Sequence, residues 1–332
     1  MKRNKIVSLI LVFTLLFVLV SCQQSNQDLA NNKDIEEQEL NTEGNTDEDI
    51  KQDVDSHTET SYPLTITDFY NREVTIEREP KRIISVAPAI TETVYALGKG
   101  DSLIARTDFC DYPEEVASIE SIGGLMDPNI ERIVELEPDL VIAGAIFQKE
   151  ILEKLEEAGL KVIILNEEQS FDGAYFVIEE MGKVLNAQEE AAKIVAGMKA
   201  TVEEVAKKVE GRERPSVYFV MGFGEWGDYT AGRGTLIGQL IDMAGGKNAA
   251  DDVEGWEYSL EKLIEKNPDH LICSISDNHR EQLKEAEHYK DLDAVVNDRI
   301  LEIDKNKLER PGPRLAEGLR EIAEYLHPDA FK

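Results

Sequence analysis

Positive charge is what this chain has least of: 36 lysines and arginines stand against 67 aspartates and glutamates, a formal charge of −31. A surface of that sign repels a phosphate backbone, which argues against nucleic acid as a partner. Cysteine is nearly missing too. Cys22, Cys110 and Cys273 are the only three in 332 residues, too few for a disulfide framework. Cys273 lies in the apolar run Leu271-Ile272-Cys273 and reads as a buried thiol. The five histidines, His57, His270, His279, His288 and His327, form no H-E-x-x-H and no Cys/His cluster. A zinc or manganese capture site needs a denser ligand set than that; His279 and His288 read as exposed helix residues. G-x-S-x-G and the P-loop are both absent. So is any apolar run of the roughly 20 residues that a membrane span needs.

What is present at the N-terminus sets the compartment. Lys2, Arg3 and Lys5 precede an apolar run from Ile6 to Val20, the charged front and hydrophobic middle of a secretory signal. It ends in Leu19-Val20-Ser21-Cys22, which resembles the lipobox of bacterial lipoproteins, so residues 1–21 are expected to be a signal peptide and Cys22 the lipidated mature N-terminus. Acyl chains contribute about 0.8 kcal/mol per buried CH₂, enough in combination for stable anchoring. Residues 23–61 then carry twelve acids, two lysines and no aromatic. Such a segment buries too little surface to offset its ordering entropy and is expected to be a disordered acidic tether over 22–62.

From residue 63 onward short β-branched runs alternate with amphipathic stretches. LTITD and EVTIE read as an opening hairpin; RIISVAP, SLIART, DLVIAG and KVIIL read as buried parallel strands. AITETVYALG, IERIVELEP and FQKEILEKLEEAG have helical spacing. The second half repeats the scheme with strands SVYFVMG, DHLICSI and RILEID and helices at TLIGQLIDMAGG, LEKLIEKNP and PRLAEGLREIAEYLHP. IERIVELEPDLVIA (130–143) even recurs without a gap as LEKLIEKNPDHLIC (260–273), with Glu131, Glu135, Pro138, Asp139 and Ile142 returning as Glu261, Glu265, Pro268, Asp269 and Ile272. Between the halves, residues 186–211 are Ala-, Glu- and Lys-rich without proline, and about 22 helical residues span roughly 33 Å. The expected fold class is α/β: two Rossmann-like α/β lobes, 63–185 and 212–332, joined by one long α-helix over 186–211. A ligand cleft is expected between the lobes, since open α/β sheets bind ligands at strand carboxyl ends.

Two tempting motifs fail on context. Gly222-Phe223-Gly224-Glu225-Trp226-Gly227 matches G-x-G-x-x-G, but Asp228 to Gly234 continues as loop where a dinucleotide site needs a helix to open at once. Ser259-x-x-Lys262 with Ser276-Asp277-Asn278 resembles penicillin-binding enzyme signatures, which leaves a cell-wall lipoprotein enzyme as a rival reading. The repeat aligns Ser259 with Asn129, however, and both stand where a helix N-cap belongs. Aromatic loop residues remain. Trp226, Tyr229, Trp256 and Tyr258 in the second half, with Phe109, Tyr112, Met126 and Phe147 in the first, can form the apolar wall of a large flat ligand.

RIISVAPAITETVYALG, Asp111-Tyr112-Pro113, NIERIVELEPDLVIA, the long helix, LIGQLIDMAGGKN, SLEKLIEKNPD and RPGPRLAEGL, in this order over about 63–328, resemble the helical-backbone class of substrate-binding lipoproteins of bacterial ABC importers, which take up cobalamin, haem and iron–siderophore complexes. FCDYP, then IGG, then NIERIVELEPDLVIA is most similar to the cobalamin-binding members. The resemblance implies a non-enzymatic, extracytoplasmic, lipid-anchored monomer that captures a corrinoid and hands it to a permease dimer and its ATPase. It implies ligand contacts at Phe109, Trp256, the loop from Gly222 to Tyr229, and Arg310. It also implies docking on permease arginines through Glu131 and Glu261, one per lobe, as a two-fold partner requires. Where the cobalamin binders carry a tryptophan just ahead of the first docking helix this chain has Leu125-Met126. A ferric siderophore stays open as a ligand, and so does haem, for which Tyr112, Met126 or Tyr229 could serve as an axial group.

Overall fold

A computed structural model describes residues 59–165, 168–225 and 227–332. The signal segment, Cys22, the tether through residue 58, and Trp226 lie outside the described residues.

The opening hairpin is formed by β1 (Leu64–Thr67) and β2 (Glu73–Ile76), paired antiparallel. The first lobe then builds β3 (Ile83–Ser85), α1 (Pro88–Ala96), β4 (Leu103–Arg106), β5 (Glu120–Ser121), α2 (Ile130–Glu135), β6 (Leu140–Gly144), α3 (Lys149–Glu157), β7 (Val162–Leu165) and α4 (Phe171–Val184). Its sheet is parallel with order β5-β4-β3-β6-β7. After α5 (Gln188–Val209) the second lobe adds β8 (Ser216–Val220), β9 (Asp228–Tyr229), α6 (Leu236–Met243), β10 (Lys247–Asn248), β11 (Glu257–Tyr258), α7 (Leu260–Lys266), β12 (His270–Ser274), α8 (His279–Glu285), α9 (Asp293–Val296), β13 (Ile300–Ile303), α10 (Asn306–Glu309) and α11 (Leu315–Leu326). Its sheet, β10-β8-β12-β13, is parallel as well. In both sheets the chain first steps to one side of its leading strand and then crosses to the other. A switch point therefore lies between β3 and β6, and a second between β8 and β12.

The strands are apolar on both faces because each face meets a different layer. Leu140 and Ile142 of β6, Val217 and Phe219 of β8, and Ile272 of β12 join one core that also contains α5 and α11 residues. Val141 and Ala143 point instead into a satellite core of the first lobe, and Tyr218, Leu271 and Cys273 into a satellite core of the second. Helix α5 carries Ala191, Val195, Met198 and Val205 inward, a stripe of alternating three- and four-residue steps once half-buried Val202 is included. It packs on α4 of the first lobe and α11 of the second. A Cβ at Gly182 of α4 would fall 2.5 Å from Ala191 Cβ, so glycine lets the two helices approach. One apolar core thus runs through both lobes and the helix between them.

The sequence repeat has a physical cause at three of its aligned positions. Asn129 and Ser259 cap α2 and α7, accepting from the Arg132 and Lys262 amides. Glu137 and Asn267, which end these helices, both take left-handed backbone, at φ 45° and 40°. Asp139 accepts from the Lys81 and Arg82 amides at 3.0 and 3.1 Å, Asp269 from the Ser216 amide and hydroxyl at 2.8 and 2.7 Å. Each aspartate thus pins the start of the neighbouring strand, β3 or β8. The Ser216 bonds hold the Asp269 carboxyl below its ordinary range. Burial pushes Asp139 up, but the backbone donors and Arg78 outweigh it. A depressed carboxyl contributes stability that is complete above its unfolded pKa of about 3.9 and is lost as the pH falls through the folded value. The urea midpoint should therefore drop below about pH 5, and Asp139→Asn with Asp269→Asn should give a shallower dependence. Identical slopes in the variant and the parent would show that these aspartates carry no linkage.

Candidate functional site

The loop after β4 of the first sheet meets the segment after β13 of the second at one corner. Cys110, buried, anchors the first-lobe loop after β4: its sulfur lies 3.1 Å from Thr91 Oγ1 and 3.3 Å from Thr107 Oγ1. With Cys110 turned inward, its neighbours Phe109, Asp111 and Tyr112 are turned out, and Phe109 is 59% exposed. Asp111 Oδ1 accepts from Arg310 Nη1 at 2.7 Å and Oδ2 from Asn306 Nδ2 at 3.3 Å, while Arg310 Nη2 donates to Phe109 O at 3.2 Å. Cys110 and Cys273 are both buried free thiols.

Beneath this corner Glu92 of α1 joins both lobes. Its carboxylate takes Arg310 Nη1 (2.8 Å), Arg314 Nη2 (2.7 Å) and Arg314 Nε (2.8 Å), and Arg314 Nη1 reaches Asp304 at 2.7 Å. The Glu92 side chain is 2% exposed and that of Arg314 8%. Burial works against the charge on both arginines, yet the carboxylates outweigh it, and each guanidinium holds its proton more tightly than an ordinary arginine. Arg314 also stacks on the Tyr112 ring, 3.9 Å from its centroid.

The expected ligand contacts separate into two groups. Phe109, Tyr112, Met126 and Trp256 are exposed large side chains on loops or at the edges of elements. Tyr229 is half-buried in the ribbon that β9 forms with β11. Thr230 N donates to Trp256 O at 2.8 Å, which fixes the backbone that displays the indole. Arg310, by contrast, is held in the interlobe ion pairs just described. Two further aromatics face inward. Phe147 is a core residue of the first lobe, and Tyr258 lies against Tyr218 with its hydroxyl 3.2 Å from Ala249 O. Both stand one residue from an exposed neighbour, Ile146 and Glu257, so alternation along the chain decides which residue meets solvent.

Sequence reasoning missed two residues. Ile146, just after β6, is 59% exposed, and Ile275, just after β12, is 60% exposed. They follow equivalent strands at the two switch points; the signal was available as an apolar residue continuing past each buried strand. The glycine-rich loop continues into β9, with no helix opening after it. His279 opens α8 half-buried against Phe223, with ring centroids 5.5 Å apart; His288 stands exposed in a turn, outside any helix, with φ 72°. Ser259 and Lys262 are occupied by structure, the former as the cap of α7 and a donor to Glu261, the latter paired with Asp252 at 2.9 Å.

Glu131 and Glu261 sit in the first turns of α2 and α7, both exposed. The Ser259 hydroxyl, 2.6 Å away, keeps the Glu261 carboxyl below its ordinary range. One turn on, Val134 is half-buried and Ile264 is 42% exposed. Among the described residues no helix is long and apolar enough to cross a membrane.

A family model described as periplasmic binding protein matches residues 83–307. The uncharacterized ABC transporter substrate-binding lipoprotein YvrC of Bacillus subtilis is 34% identical over 278 residues, 82% of this chain and 88% of that protein. A cobalamin-binding protein of Halobacterium salinarum is 27% identical over 289 residues, 83% of this chain and 77% of that one. The apo structure of the periplasmic haem-binding protein RhuT from Roseiflexus superposes with a TM-score of 0.69 at 26% identity, covering 75% of this chain and 99% of that one.

Proposed function

The chain belongs to the periplasmic binding protein family of ABC importers, and from that premise we propose that it captures a corrinoid between the carboxyl edges of its two sheets and delivers it to a permease dimer. The observation that carries this reading is the set of exposed apolar side chains on both edges: Phe109, Tyr112, Met126 and Ile146 on one, Trp256 and Ile275 on the other. A monomer in water presents such residues on facing edges at a cost, and a large ring system between them removes that cost. The similarity to a cobalamin-binding protein favours a corrinoid; the similarity to a haem-binding structure makes haem the principal competitor. The continuous core through α5 makes capture a clamp with little hinge motion. Cys22 holds the protein at the outer face of the membrane, and the acidic segment after it spaces the binding unit from the lipid.

Docking falls to Glu131 and Glu261. Asp139 and Asp269 recur because each pins a strand, whereas among the described residues neither glutamate holds a strand, and Glu261 accepts from Ser259 of its own helix cap. What the two share is an exposed carboxylate with an apolar side chain one turn on, a patch suited to a two-fold permease surface carrying arginines.

Incubating the purified protein with cyanocobalamin, cobinamide, haemin or a ferric hydroxamate, followed by desalting and absorbance spectroscopy, tests the ligand. A corrinoid spectrum retained with the protein is expected; retention of haemin or the siderophore alone overturns the corrinoid assignment. Trp256→Ala should weaken retained binding about ten- to a hundredfold, since burying such a ring contributes roughly 1.5–3 kcal/mol. Unchanged affinity with a lowered melting temperature would make Trp256 a structural residue.

A further inference from the structure

Among the described residues, each lysine or arginine at the carboxyl edges has a carboxylate partner: Arg106, which ends β4, lies 4.0 Å from Asp108, and Lys149, which opens α3, lies 3.8 Å from Glu153. The loops after β3, β4, β5, β6 and β7 contain neither lysine nor arginine. In the second sheet, the loops after β8, β12 and β13 contain Arg233, Lys305, Lys307, Arg310 and Arg314, and each is already matched. Arg233 pairs with Glu254 at 3.0 Å, Lys305 with Asp277 at 2.9 Å and Lys307 with Glu321 at 3.2 Å. Arg310 and Arg314 share Glu92 and have Asp111 and Asp304 besides. Carboxylates, on the other hand, are left over. Asp127 beside Met126 and Glu225 on the glycine-rich loop pair with no lysine or arginine among the described residues, and neither does Glu257 beside Trp256.

We infer that this site selects its ligand by charge: it takes a neutral or cationic ring system and rejects one of the same size that carries carboxylates. The inference rests on the placement of the ligand proposed above. An anionic group entering here would lose its water and find no unpaired guanidinium or ammonium to replace it. It would meet uncompensated carboxylates in a medium of lowered dielectric. Freeing Arg310 for the purpose would break its pairs with Asp111 and Glu92 and leave a buried carboxylate short of a partner. A ligand whose periphery ends in amides suffers neither penalty, since amide N–H groups donate to the same carboxylates. Haem with two propionates and a tris-catecholate ferric complex fall on the rejected side. A corrinoid amide and a neutral or cationic ferric hydroxamate fall on the accepted side.

The test uses matched rings that differ only in their peripheral groups. Dicyanocobinamide is compared with dicyanocobyrinic acid, in which carboxylates replace the amides, and haemin with its dimethyl ester, each by fluorescence or absorbance titration of the purified protein. The amide and ester forms should bind at least tenfold more tightly than their carboxylate counterparts, with the gap narrowing as salt is raised. Equal or tighter binding of the carboxylate form in either pair overturns the charge selection. If neither corrinoid binds while the porphyrin diester binds better than haemin, the corrinoid assignment fails and the charge selection stands.

Discussion

Exchanging Glu92 for glutamine should lower the unfolding free energy by about 3–5 kcal/mol, the usual loss when one partner of a buried ion pair is removed. The reason lies in what remains. Of their carboxylates, Arg314, 8% exposed, would keep only Asp304, and Arg310 only Asp111, which sits at the surface. Both guanidiniums would stay out of water with their central carboxylate gone. Because Glu92 comes from α1 of the first lobe and both arginines from the second, the loss should also loosen the corner where Asp111 and Asn306 meet. Urea unfolding of the parent and Glu92→Gln proteins reads the stability change, and amide exchange of residues 107–113 reads the loosening. A change under about 1 kcal/mol would place this network in the class of exposed pairs. The double variant Glu92→Gln/Arg314→Gln should recover part of the loss, since the orphaned charge is then removed as well.

Uptake should fail when both repeated glutamates are reversed. Glu131→Arg and Glu261→Arg should each impair transport in vesicles carrying the cognate permease and ATPase, and the pair together should abolish it, while ligand affinity in solution stays within about twofold. Like charges meeting across an interface cost several kcal/mol. Neither glutamate lies among the exposed aromatic loop residues or in the Glu92 network, so the binding step should be untouched. Complex formation between protein and permease should weaken as salt rises, because both glutamates are exposed and exposed charges are screened. Normal transport by the double variant would leave the recurrence of Glu131 as Glu261 a trace of duplication alone. Loss of ligand affinity in either single variant would move that glutamate into the ligand site.

Much of the architecture is legible before any coordinates because its signals are local. Buried parallel strands are β-branched runs apolar on both faces, and β3, β4, β6, β7, β8, β12 and β13 all lie within stretches that read this way. Helix caps are set by residues one turn apart, so Asn129 and Ser259 declare themselves. The short strands β5, β9, β10 and β11 do not, because two residues carry no periodicity and owe their pairing to neighbours. The long helix reads as 186–211 and runs Gln188–Val209; left-handed Asn186 delays its start.

The site divides along the same line. The sequence by itself determines that the chain repeats a helix–strand unit and that the loops after its first-sheet strands hold no lysine or arginine. It also determines that Phe109, Tyr112, Met126, Tyr229 and Trp256 stand outside the regular elements or at their edges. Only the tertiary structure decides which loop residues face water. Phe147 turns into the core and leaves Ile146 outside, and Tyr258 turns onto Tyr218 and leaves Glu257 outside. It alone commits Arg310 to Glu92, 218 residues away in sequence, because an ion pair depends on distance in space and on exclusion of water. Neither quantity is written in the spacing of residues along the chain.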